Sequence, residues 1–142
     1  MSNELWRTVL AVVVGAHGIG HVLFLVNSLG IANWGQSIRS WLLTNIVGDV
    51  ATRGVGSLLW LVATVGFVTV AAGMFGQRDW WRTLAIGSSV VSAIGLLLFW
   101  SNPASSPAFS ALAFDIVILV ALLLVVFGDR IGAAAANRFG PG

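Results

Sequence analysis

The chain contains no cysteine, no tyrosine and no lysine. Without cysteine there can be no disulfide, thiolate nucleophile, iron–sulfur cluster or Cys-based zinc site. Without tyrosine there is no tyrosyl proton or radical relay. Charge is also scarce, at 8% of 142 residues, and the net charge is only +2. The seven basic residues are all Arg and scattered along the chain, so no basic patch forms that would suit nucleic acid.

What remains is apolar. Hydrophobic residues make up 58% of the chain, too many for a soluble domain of this length. Apolar runs at 5–26, 55–75, 81–100 and 109–127 each approach the roughly 20 helical residues that a bilayer requires. These runs predict a single all-α domain, an integral membrane four-helix bundle with the lipid bilayer as its solvent. The first run is longer than the apolar core of a signal peptide, and no small-x-small site follows it. It is expected to remain as a span.

An even number of spans puts both termini on one side, together with Arg7, Arg78, Arg82, Arg130 and Arg138. Arg39 and Arg53 fall on the other side. The positive-inside rule makes the terminal side cytoplasmic, in a plasma (inner) membrane. Trp80, Trp81 and Trp100 stand at span ends, where amphipathic rings prefer the interface. Asn102-Pro103 and Ser106-Pro107 punctuate the third connection. In the long first connection, Trp34, Ile38, Trp41, Leu42 and Ile46 recur at helical spacing. They predict a short amphipathic interfacial helix over 34–47, either an anchor or a lid. The Gly- and Ala-rich segment 128–142 is expected to be a mobile tail. Ala85, Ser88, Ser92 and Gly95 form a stripe of small residues on the third span, suited to close helix packing.

His17 and His21 are one helical turn apart inside the first run, and Asp115 lies within the last. Intramembrane ionisable side chains are rare, and by default they mark a site. Counting ~1.5 Å of rise per residue from the span midpoints puts all three in one layer, slightly toward the outside. Thr64 and Ser92 fall near the same depth. His17, His21 and Asp115 are therefore candidate ligands of a metal ion, and with Thr64 and Ser92 they are candidates to line a pocket for a quinone or similar lipophilic ligand. The HxxxH spacing lacks the Glu of an HExxH zinc enzyme. A haem or chlorin held by one His stays open, but two His on one helix face cannot sandwich a haem. Structural glue between helices is the competing reading.

Arg7 followed by His17-Gly18-Ile19-Gly20-His21 resembles the first helix of the DoxX-like family of small four-helix membrane proteins. Many members carry Lys where this chain has His21. The resemblance implies an association with membrane oxidoreductase systems. The expectation is an accessory component of such a system rather than a stand-alone enzyme, with membrane protein partners or a homo-oligomer around it. The alternative is a structural subunit of a larger complex with no ligand of its own.

Overall fold

The computed structural model describes residues 3–33, 36–100 and 106–139, with side chains through Asp129 and at Ile131. It contains four helices: α1 (Asn3–Ser28), α2 (Leu43–Phe75), α3 (Trp81–Leu98) and α4 (Ser106–Phe139). No strand occurs among the described residues. All four are long and apolar enough to cross a membrane, α4 over Ser106–Asp129. The protein is an all-α, four-helix membrane bundle.

Burial follows the logic of a hydrocarbon solvent. Large apolar side chains such as Ile19, Leu58, Val65, Val117 and Leu124 point outward, while His21, Thr52, Ser89, Ser92 and Asp115 are buried. Lipid solvates the former as well as a core would, whereas the latter need protein partners.

Two apolar clusters fix the up-and-down order. One joins Ala11 and Val14 of early α1 to Val70 and Met74 of late α2, Ala85 of early α3 and Leu122 of late α4. The other joins Phe24 of late α1 to Trp60 of early α2, Leu96 of late α3 and Ala111 of early α4. Successive helices are therefore antiparallel. The end that carries the N-terminus also holds an Arg82–Asp129 ion pair at 3.8 Å, and the opposite end an Arg39–Asp49 pair at 3.3 Å. Close backbone contacts join α1 to α2, α2 to α3 and α3 to α4, but α1 and α4 stay further apart.

Helix ends follow local chemistry. After α1, Gly30 adopts φ 75° and lets Ile31 N–H reach back to Val26 O (3.0 Å) and Gly30 N–H to Asn27 O (2.9 Å). This turn satisfies carbonyls that the helix end leaves free. Arg53 Nε donates to another of them, Ser28 O, at 3.0 Å.

Several expected boundaries shift. In the segment 34–47 the helical part is shorter than expected, beginning at Leu43; Trp34 lies outside the described residues. Side chains compete with helix formation before that point. Ser37 Oγ accepts from Arg39 N–H (3.1 Å), and Ser40 Oγ accepts from Leu42 and Leu43 N–H (3.3 and 3.1 Å). Ser40 N–H donates to Thr44 Oγ1 at 2.9 Å, which ties the turn before α2 to its first helical residues. Gly48, with φ 81° and ψ 170°, then kinks the chain, and α2 continues through residues 49–54, expected as loop. Only Gly48 interrupts helix formation in this stretch. α3 stops at Leu98 rather than at residue 100, its end capped by Phe99 N–H donating to Gly95 O at 3.0 Å.

Ser106 and Pro107, expected as loop, open α4 instead, because a first-turn Pro sacrifices no helical hydrogen bond. Asn102 and Pro103 lie outside the described residues. The expected tail is helical as far as Phe139, consistent with the high helix propensity of its Ala run.

Gly18 sets how closely α1 approaches α2. A Cβ there would lie 2.6 Å from Phe67 Cβ and 3.2 Å from Val68 N, while a Cβ at Gly20 would meet nothing within 4 Å. Gly18→Ala is therefore expected to destabilise the bundle by about 1–3 kcal/mol through overpacking. Gly20→Ala should be neutral or stabilising by up to ~1 kcal/mol from helix propensity. Unfolding of the two variants in mild detergent checks the contrast.

Candidate functional site

Each helix brings the site its residue through the inward stripe of its own sequence. On α1 the stripe is Ala11, Val14, Gly18, His21 and Phe24, with His17 at its edge. On α3 it is Ala85, Ser88, Ser92 and Gly95. On α4 it is Ala108, Ala111, Asp115 and Leu122. The i, i+3, i+7 spacing keeps each set on one face.

The stripes converge in the layer expected from depth. His17 Nε2 and Asp115 Oδ1 share a hydrogen bond of 2.9 Å that ties α1 to α4. His21 Nε2 and Ser92 Oγ are 2.5 Å apart, tying α1 to α3. The imidazoles of His17 and His21 meet edge to face, with centroids 4.7 Å apart. His17, His21 and Asp115 can bring one donor atom each to within 4.8 Å of one another. Four of the five residues singled out in the sequence thus form two hydrogen-bonded pairs. The fifth, Thr64, comes close to Gly18 through its backbone, but its buried hydroxyl has no partner among the described residues.

Aromatic side chains enclose the pairs. Phe67, fully buried, lies edge-on to both imidazoles at 4.8 and 5.7 Å. Phe114 tilts against His17 at 4.3 Å, and Trp60 lies edge-on to His21 at 6.0 Å. These rings were not singled out from the sequence. Phe114 adjoins Asp115 in the chain, but nothing in its spacing separates it from a lipid-facing Phe. Gln36 was hidden in the long first connection.

Where α1 and α4 stand apart, a cavity of about 450 Å³ opens between them. His17, His21, Phe24, Gln36, Ala111 and Phe114 are among the residues lining it. Gln36, from the first connection, adds a polar wall. Asn27 Nδ2 donates to Gln36 O at 3.1 Å, which holds that segment against the end of α1. Trp41 Nε1 donates to Leu97 O at 2.8 Å and fastens the same connection to α3. Asp115 and Ser92 stand behind the cavity lining, each holding one imidazole. Asp115 is fully buried, and its Oδ2 has no hydrogen-bond partner among the described residues. Searches against family models, curated proteins and solved structures find no match to this chain.

Ser92→Ala removes the partner of a buried imidazole while keeping the small side chain that α3 needs there. It is expected to cost about 1 kcal/mol, the scale of hydrogen bonds between membrane helices. Unfolding of the variant in detergent or bicelles measures it. Ser110→Ala is the control, since Ser110 Oγ donates to its own helix, to Pro107 O at 3.1 Å, and its loss should be close to neutral for stability.

Proposed function

We propose that the cavity between α1 and α4 holds the polar head of a lipophilic, quinone-like ligand, and that the protein is an accessory component of a membrane redox system. One observation carries this reading. Two imidazoles line a largely apolar cavity on the open side of the bundle, and each is held from behind by a residue outside the cavity lining. Apolar walls with a few oriented polar groups are what a small-molecule site requires. The open side lets a ligand dissolved in lipid enter laterally.

The chain has neither Cys nor Tyr to carry electrons. Electrons would reach a bound ligand from a partner subunit. The resemblance of the first helix to DoxX-like proteins supports the same direction. Arg7, Arg78 and Arg82 at the terminal end support a cytoplasmic location for both termini.

A metal ion fits less well. A tetrahedral ion with bonds of about 2.0–2.1 Å sets its ligand atoms about 3.4 Å apart. Here the donor atoms spread to 4.8 Å, and both Nε2 atoms are engaged in hydrogen bonds. Both rings would have to turn or give up those bonds to share an ion. A purely structural subunit is favoured by one observation: the spanning part of α4 buries a far smaller share of its residues than that of α2, which leaves a long apolar face.

The test uses the chain's own fluorescence, since Trp60 lies against His21. A decyl-chain benzoquinone added to the protein in lipid nanodiscs should quench Trp emission saturably. The folded His17→Ala/His21→Ala variant should bind it at least about tenfold more weakly, the loss of roughly one buried hydrogen bond or more. Equal binding by the two proteins, or stoichiometric uptake of Zn²⁺ with no quinone binding, overturns the proposal. A partner that co-purifies stoichiometrically, undisturbed by the double variant, establishes the structural subunit.

A further inference from the structure

The cavity occupies one half of the bundle only. On α1 its lining begins at His17 and runs to Phe24, and on α4 it runs from Phe114 back to Pro107. Both stretches lead away from the chain termini. Nearer the termini the side chains of the two helices meet. Ala11 and Val14 of α1 share an apolar cluster with Leu122 of α4, and Phe114 and Ile118 pack against it. The 2.9 Å hydrogen bond between His17 and Asp115 joins the helices at the boundary. A ligand dissolved in lipid therefore meets the cavity only in the half of the membrane opposite the termini.

Two residues form the edges of the opening. Residues three and four apart are neighbours on a helix surface. Gly20 thus has His17 and Phe24 of the cavity lining on one side, and the exposed Ala16 and Leu23 on the other. Ser110 stands in the same way on α4: it is exposed, one turn from Phe114, and lines the cavity with it. Packing does not require the glycine at position 20. A Cβ at Gly18 would lie 2.6 Å from Phe67 Cβ, whereas one at Gly20 would meet nothing within 4 Å. Glycine inside a helix costs roughly 0.5–1 kcal/mol relative to Ala, and no close contact offsets that cost here. Among the described glycines with such open surroundings, Gly20 alone lines the cavity. Its missing side chain leaves clear space at the edge between cavity and lipid.

We propose that Gly20 and Ser110 frame a portal through which a lipid-soluble ligand enters from the leaflet opposite the termini, and that Gly20 sets how fast it passes. The proposal rests on the reading of the cavity as a ligand site and adds a route and a side to it. A large side chain at either edge narrows the path, while Asp115 and Ser92 still hold the imidazoles from behind.

Four Phe variants test this. Val13 and Ala121 are exposed, and lie about two and three turns nearer the termini along the same helix edges as Gly20 and Ser110. Decyl-chain benzoquinone is added to each protein in lipid nanodiscs, and its saturable quenching of Trp emission is followed in time. Gly20→Phe and Ser110→Phe should each slow association by at least about tenfold. Val13→Phe and Ala121→Phe should keep the native rate. The two portal variants lie on different helices, so a folding defect in one leaves the other to decide. Native association rates in both overturn the portal and leave the ligand site standing. Weaker binding that arises only from faster dissociation does the same, because it makes Gly20 part of the seat. Equal slowing by all four variants overturns the sidedness and the proposal with it. A native chain that binds no quinone removes the ligand site and the portal together.

Discussion

A polar group inside hydrocarbon must find its partner within the protein, and the hydrogen bond between His17 and Asp115 is where that constraint acts most strongly. It joins α1 to α4 across the side of the bundle where their backbones do not pack closely. The bond between His21 and Ser92 does the same between α1 and α3. Together they fix the rotation of α1 about its axis. Turning α1 would expose two imidazoles to lipid and leave Asp115 fully buried without its partner. Gly18 works with them by letting α1 lie directly against Phe67, which brings both imidazoles over that ring.

The same arrangement produces the cavity. Ala108 and Ala111 are small residues on the inward stripe of α4, so α4 leaves space beside α1 at that level. The imidazoles reach into this space because their Nε2 atoms are held from behind. Rigid support behind a polar group keeps its orientation without a ligand, which lowers the ordering cost of binding. The first connection, fastened through Trp41 and Asn27, adds Gln36 to the lining without closing it.

Much of this was legible in the sequence. Four long apolar runs fix the number of helices because a bilayer leaves few alternatives. His17, His21, Asp115 and Ser92 stood out because polar residues are rare in such runs, and helical rise alone set their common depth. Which His would pair with Asp115 was not legible, since one helical turn is the error of a depth count. The aromatic walls were not legible either. Phe67 and Phe114 occupy runs in which outward- and inward-facing apolar residues look alike, because lipid and core are similar solvents. The start of α2 was obscured by Asp49 and Arg53, polar residues that read as loop and are helical. Ser106-Pro107 misled in the same way, since a Pro dipeptide marks a loop or a first helical turn equally well.

The account depends on a ligand that the two imidazoles hold within the membrane. The most direct measurement is to extract the protein and its His17→Ala/His21→Ala variant in mild detergent, then identify what each retains by optical spectrum, organic extraction and metal analysis. The account predicts a lipophilic, quinone-like compound retained by the native chain and lost from the folded variant. A native chain that carries no such compound and does not take one up from lipid would contradict it, as would equal retention by both proteins.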